Sequence, residues 1–377
     1  MSKVKLDDVA FERKETHDNA DQSLPVVGLE HITPGEITLS NWDKGVETTF
    51  IKYFHKGDVL FGRRRAYQKK ACVAPFEGIC SGDITVIAPK EDKIFPELLP
   101  FVIQNDDMFE YAVSQSAGSL SPRVKWGQLK EFAFELPPME KQKEIADILS
   151  AMARTKKAYQ RLLTATDEYV KSQFIERFSG DNFLKEPLKN NVEEMFIGPF
   201  GSALKNDCFV DQESGYCMVY EQKHAIQKTM DVPTRYVSER KYQELKRFTV
   251  LPGDIIVSCR GTVGEIYAIP DGAPMGIMHP SIMKIRLKKD KYDKKFFEFA
   301  LEQYMQDHAR ETNGTSIKMA VSASALEKEL FIVPELKEQR QFVSFVEQSD
   351  KSKVEIKQAM ADLDAMYKQF LREHLGA

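Results

Sequence analysis

The sequence predicts an α+β protein in which two mixed α/β globular units are separated by an antiparallel coiled coil of two long helices. The whole is an internal duplication with pseudo-two-fold symmetry. Three observations predict it. Framework motifs recur at an offset of 196–197 residues. Two stretches free of internal Gly and Pro carry heptad apolar spacing. The rest is short β-like runs and helix-like runs, punctuated by Gly and Pro.

The repeat comes first. Gly57-Asp58-Val59-Leu60 returns as Gly253-Asp254-Ile255-Ile256, and Gly118-Ser119 as Gly314-Thr315. Phe134-x-x-Pro137 returns as Phe331-x-x-Pro334, Gln142 as Gln339, and Ser172-Gln173-Phe174 as Lys368-Gln369-Phe370. A period this long exceeds any solenoid repeat, so the chain is a duplicated domain. At roughly 100–200 residues per domain, 377 residues accommodate two such units. The divisions expected are a first globule at 1–137, a spacer helix at 138–180, a second globule at 181–334 and a second spacer helix at 335–377.

Within the globules, Val59–Phe61, Ile84–Ile87, Phe132–Phe134, Ile255–Val257 and Met283–Ile285 read as strands. Phe95–Ala112 and Asp293–Ala309 read as helices. In the second spacer the seam is Phe342, Val346, Ser349, Lys353, Ile356, Met360, Leu363, Tyr367 and Phe370, with spacings of 4 and 3. The offset maps it onto Ile145, Leu149, Met152, Lys156, Tyr159, Leu163, Thr166, Val170 and Gln173, with Leu162, Tyr169 and Phe174 widening the first seam. Lys156 and Lys353 are expected to fix register. Pro137-Pro138 and Pro334 precede the helix starts, and Gly180 is a C-terminal stop.

Composition excludes several classes. With 42% hydrophobic and 29% charged residues the chain is neither disordered nor fibrous. The formal charge of −4 leaves nucleic-acid binding to local basic patches. No apolar run is long enough for a membrane span, and the opening MSKVKLDDVAFERKE lacks a signal-peptide core, so a cytoplasmic location is expected. The five Cys include no C-x-x-C pair, and the seven His lack ligand spacing, so no metal site is expected. Phosphate-loop, zincin, nucleophile-elbow and dinucleotide motifs are absent, as is N-P-P-[YF], and no catalytic residue is assigned. The triplets Glu12-x-Lys14 and Glu244-x-Lys246 leave a metal-dependent nuclease as one alternative, and a coiled-coil adaptor as another.

The local basic patches lie in loops. Residues 61–70 hold Arg63, Arg64, Arg65, Lys69 and Lys70 with Tyr67 among them and no acid. Arg123, Lys125 and Trp126 follow the Gly118-Ser119 turn. In the second unit Arg260 and Thr262 occupy the place of the Arg63 loop, and Ser316 and Lys318 that of the Arg123 region. Arg reads guanine bidentately, while Lys and Tyr hold phosphate. Lys284–Lys295 adds seven cations against two acids, on a strand end and loop. His31, His224 and His279 read as ordinary polar residues, and Cys72, Cys80 and Cys259 as small core residues.

Together these pieces resemble the specificity subunit of type I restriction–modification enzymes, over nearly the whole chain. The resemblance rests on GDVLFGRRRAYQKKACVAPFEGICSGD (57–83), GSLSPRVKWGQL (118–129) and FELPPMEKQKEIADIL (134–149), with FIVPELKEQRQFVSFV (331–346) as second copy. IGPFGSALK (197–205), ending in Lys205, resembles the start of a second target-recognition domain. The resemblance implies that each globule reads one half of a split, asymmetric double-stranded DNA site. It implies that the coiled coil spaces the halves and docks two methyltransferase subunits, and that motor/nuclease subunits join for restriction. No cofactor is then bound by this chain. S-adenosylmethionine belongs to the methyltransferase partners, and ATP and Mg²⁺ to the motor partner. The second copy departs from the pattern, with Pro334-Glu335 for Pro137-Pro138 and with Phe342 and Phe345 in the helix core.

Overall fold

The computed structural model describes residues 2–17, 22–179, 183–311 and 323–376, with side chains omitted at 308–311. They fall into two units, Met1–Leu163 with Val354–Ala377, and Thr164–Lys353.

In the first unit, the run Val59–Gly62 is apolar throughout because both its faces are buried. Val59 and Phe61 enter one core with Ile87, while Leu60 enters another with Cys72, Ile84 and Val86. It lies inside an antiparallel sheet ordered Ala10–Glu12, Ile84–Pro89, Val59–Gly62, Ala71–Val73. A smaller sheet places Gly78–Cys80 between Val26–Val27, which is parallel to it, and Lys52–Phe54, which is antiparallel. Ser2–Lys5 pairs with Ala133–Leu136.

The second unit repeats this plan. Val192–Ile197, Ile282–Leu287, Ile255–Ser258 and Ile266–Ala268 form the antiparallel four-stranded sheet. Cys217–Tyr220 runs parallel to Gly276–Met278 in the smaller sheet, here extended to five strands. Lys185–Pro187 pairs with Leu330–Ile332.

The repeated Gly-Asp has a structural cause. Gly57 and Gly253 turn at φ +93° and +87°, in the left-handed region that favours Gly. The following aspartates are buried, and a buried carboxylate needs partners. Asp58 accepts from the backbone N–H of His55 at 2.8 Å and from the Arg13 guanidinium at 2.7 and 3.1 Å. Asp254 accepts from the N–H of Leu251 at 2.8 Å and from Arg286 at 2.7 and 2.7 Å. Arg13 follows the edge strand Ala10–Glu12 whereas Arg286 lies within Ile282–Leu287, so one need is met by two routes.

The expected helix Phe95–Ala112 is broken. A 3₁₀ turn at Pro96–Leu98 leads into a helix at Leu99–Ile103, and a second helix spans Asp106–Ser114. Pro96 and Pro100 each sit in a first turn, where Pro is tolerated, and Asn105 caps the second helix by accepting from Asp107 N. The counterpart in the second unit is one helix, Lys294–Glu311.

The spacers are helices Met139–Phe178 and Leu336–Leu375. In each unit the start of one packs with the end of the other, an antiparallel pairing. Ile145 and Leu149 share the first core with Leu371 and Leu375, and Tyr367 and Phe370 pack against it. Val170 and Phe342 share the second core with Phe178, and Phe174, Phe345 and Val346 pack against it. Between these cores Met152, Tyr159, Leu163, Ile356, Met360 and Leu363 are half-buried. Lys156 reaches Asp364 at 2.7 Å, and Lys353 reaches Asp167 at 2.9 Å, each across to the other helix. Leu162 stays 49% exposed and does not widen the seam, because a two-helix seam covers only one stripe of each helix. Tyr169, although 55% exposed, does widen it, setting its ring edge-on to Phe345 of the other helix. Gly180 lies outside the described residues.

Gln142 and Gln339 fasten the helix starts. Both are buried. Gln142 accepts from Phe95 N and donates to Pro137 O, at 2.8 and 2.9 Å. Gln339 accepts from Asp293 N and donates to the carbonyls of Lys291 and Pro334, each at 2.8 Å.

Candidate nucleic-acid interface

In the first unit, the chain leaving Gly62 is tied to a second loop. Arg63 donates its backbone N–H to Asp83 O and accepts from Val124 N, and Arg65 N donates to Pro122 O. The second loop is a short hairpin, closed by reciprocal bonds between Ala117 and Arg123 at 3.0 and 2.9 Å. Arg65 and Lys69 hold φ +54° and +52°, a costly geometry for non-Gly residues that brackets the 3₁₀ turn Ala66–Gln68. That turn leaves Tyr67 56% exposed.

One acid organises the arginines. Asp83 Oδ1 accepts from Arg123 Nε at 2.8 Å, and Oδ2 is 3.3 Å from an Arg64 terminal nitrogen. Arg64 Nε also donates to Ser121 Oγ at 2.6 Å, on the hairpin. The Arg123 hydrogen bond holds the Asp83 carboxyl below its usual range, with Arg64 adding to the effect. The Arg64 and Arg123 side chains remain 40% and 44% exposed, and their guanidiniums keep N–H groups to offer. Lys125 is exposed beside them. Of the remaining cations, Lys69 pairs with Asp106 at 2.6 Å, and Lys70 turns inward to Leu29 O at 2.6 Å. Arg63 and Arg65 are half-buried, each with a buried Nε that has no hydrogen-bond partner among the described residues.

In the second unit, Val192–Ile197 and Ile255–Ser258 both pair antiparallel with Ile282–Leu287. They therefore run parallel, and the loops that follow them leave the same end of the sheet. One is Gly198–Lys205, with Lys205 exposed. The other presents exposed Arg260 and Thr262 on either side of Gly261, at φ +68°, and is closed by Gly264, at φ +92°, whose N–H donates to Ser258 O at 2.9 Å. Ser316 and Lys318 lie outside the described residues.

The basic run Lys284–Lys295 is largely used internally. Lys284 is buried against Glu194 at 2.5 Å, Arg286 forks onto Asp254, Lys294 pairs with Asp271, and Lys295 with Glu347. Glu244 of the second E-x-K triplet pairs with Lys241 at 2.9 Å. Among the described residues no three His, Cys, Asp or Glu side chains are placed to hold a metal ion, and no helix is long and apolar enough to cross a membrane.

Sequence reasoning missed Asp83, Ser121 and Asp106, which position the cations it singled out. Their signal is spatial: Asp83 is 40 residues from Arg123. It also missed a matched pair of histidines. His31 Nδ1 accepts from Gly28 N at 2.9 Å, and His224 Nδ1 from Glu221 N at 3.1 Å, each after a strand parallel to its neighbour. Burial pulls the His224 pKa down. It pushes the thiols of Cys72, Cys80 and Cys259 up to about 12, leaving them protonated and inert.

Known proteins are similar to this chain in sequence and in fold. The family described as the type I restriction modification DNA specificity domain matches residues 1–164 and 209–362. A Methanocaldococcus jannaschii protein assigned as the MjaX type I restriction enzyme specificity subunit is 24% identical over 300 residues, 75% of this chain and 69% of that protein. The EcoDI specificity subunit of Escherichia coli is 28% identical over 92 residues, 24% of this chain and 20% of that protein. Among solved structures, a chain from work on assembly and conformational transition of the type I R-M system superposes with TM-score 0.64 at 17% identity, covering 99% and 97% of the two chains. The type I S subunit from M. genitalium gives TM-score 0.53 at 12% identity, covering 98% and 95%. At these identities the two structures establish likeness of fold.

Proposed function

The chain belongs to the type I restriction–modification DNA specificity family, and from that premise we propose how its two units divide the work. It is a specificity subunit, a DNA-recognition component whose catalytic partners are separate chains. Each unit reads one half of a split, asymmetric double-stranded DNA sequence. The antiparallel helices set the unread gap and dock two methyltransferase subunits, and restriction/motor subunits join them. S-adenosylmethionine is held by the methyltransferase subunits, ATP and Mg²⁺ by the motor subunits, and none by this chain. The assembly works in the cytoplasm. This reading displaces both the nuclease and the adaptor.

The observation that carries the division of labour is one scaffold with two different loops. Both units place a loop after the buried Gly-Asp strand, but where one unit has Arg63-Arg64-Arg65 the other has Arg260-Gly261-Thr262. Equal scaffolds with unequal donors read unequal bases. A total charge of −4 limits phosphate binding by the lone subunit, so tight binding requires the assembled complex. The test is half-site binding by the complex carrying Arg64→Ala or Arg260→Ala. Each variant is expected to relax discrimination in one half-site and leave the other intact. Uniform weakening on all DNA, with a smaller salt dependence, would make these phosphate contacts instead.

A further inference from the structure

Among the described residues, the two most exposed large apolar side chains are Leu120, at 91%, and Phe200, at 88%. There is one in each unit. Leu120 is the centre of the hairpin Gly118–Pro122, whose base is closed by Ala117 and Arg123 and whose Ser121 is held by Arg64. Gly118, at φ +116°, permits the turn. The leucine thus stands beside two guanidiniums on a braced loop. Phe200 is equally well presented. Gly198 N donates to Ile282 O at 2.9 Å, and Ala203 N donates back to Phe200 O at 2.8 Å. A Cβ at Gly198 would stand 2.3 Å from His279 O, so the turn is pressed against the sheet. This turn leaves the same sheet end as the Arg260 loop.

We propose that Leu120 and Phe200 are base-reading side chains that each cover a thymine methyl group in the major groove of their unit's half-site. The inference rests on the DNA reading above and adds the contact that reads A·T pairs. A side chain flanked by cations on a braced loop faces a polyanion more readily than an apolar protein surface. Guanine's N7 and O6, the bidentate partners of arginine, lie in the major groove, and the apolar group on that same groove edge is the thymine C5-methyl. Arginine and its apolar neighbour then read adjacent pairs from one loop.

The test uses the complex with its methyltransferase subunits and DNA carrying the mapped site. Each thymine of each half-site is replaced singly by uracil, which removes only the methyl. Binding is measured for the unaltered protein and for Leu120→Ala and Phe200→Ala. One uracil position per half-site is expected to weaken binding about three- to fivefold, the worth of one buried methyl. Leu120→Ala should abolish that sensitivity in the first half-site only, and Phe200→Ala in the second only, while Leu120→Met preserves it. Absence of any uracil-sensitive position, or equal sensitivity in the alanine variants, overturns the proposal. So does a Leu120→Ala complex that loses methyltransferase subunits while its uracil sensitivity persists. If no split site exists at all, it is the DNA reading itself that fails.

Discussion

Asp83 Oδ1 accepts a hydrogen bond from Arg123 Nε at 2.8 Å, and through this pair two loops distant in sequence are joined at their exposed ends. The other oxygen of Asp83 faces Arg64, so one carboxylate aims two guanidiniums. Asp83→Asn removes the aiming charge while making the surface more positive. The expected result is weaker discrimination in the first half-site by about 1–3 kcal/mol, with non-specific binding unchanged or tighter. Competition binding of the assembled complex against single-base variants measures both. Loss of non-specific binding in proportion would contradict the positioning role.

Gln142 and Gln339 each join a backbone N–H of the globule to the carbonyl of the proline before the helix, Gln339 adding a bond to Lys291 O, and each leaves backbone groups unpaired when lost. Gln142→Ala strands Phe95 N and Pro137 O, and Gln339→Ala strands Asp293 N with the carbonyls of Lys291 and Pro334. Each substitution is expected to destabilise by about 1–3 kcal/mol. Denaturant unfolding followed by circular dichroism gives the value, and a change below about 0.5 kcal/mol would place these amides among ordinary surface positions.

The two long helices are anchored unevenly. Phe342 is fully buried against Phe174, Phe178, Phe296 and Phe299, with centroid separations from 5.1 to 6.1 Å. Phe342→Ala should therefore cost about 3–5 kcal/mol. Ile356 is only half-buried and lies outside the packed cores, so Ile356→Ala should cost far less. Comparing the two by denaturant midpoints checks the ranking. Equal losses would mean that the middle of the helix pair is as tightly packed as its ends.

The second unit carries a pH dependence. Burial lowers the pKa of His224, and also of His279. A histidine depressed in the folded state contributes stability that is fully present above its unfolded pKa, about 6.5, and lost as pH falls through its folded value. Melting temperature should therefore drop between pH 7 and pH 5. His224→Gln, which keeps an acceptor for Glu221 N, should drop less over the same interval. Parallel curves for both proteins would contradict this.

Much of this fold is written in local pattern. The Gly-Asp turns recur because a left-handed glycine and a buried carboxylate are both needed at that corner, and Gln142 recurs because helix and globule must be joined. The heptads show because one stripe of each helix faces the other. What stayed hidden is what depends on distant partners. Arg64 and Lys70 are alike in a composition count, yet one is aimed outward by Asp83 and Ser121 while the other is turned into Leu29 O. Lys284 looks like part of a solvated basic run and is buried against Glu194, 90 residues away. The exposure of Leu120 and Phe200 was likewise invisible, because an apolar residue in a turn gives no local sign of which way it points.

Two different readers on one chain define a split site. The most direct measurement is to express the chain with its methyltransferase subunit in a host free of DNA methylation and to sequence the modified bases. Two unlike readers should give one asymmetric motif of two unlike halves separated by a gap of fixed length. A contiguous motif, or no modified base from a complex shown to be assembled and loaded with S-adenosylmethionine, would contradict it.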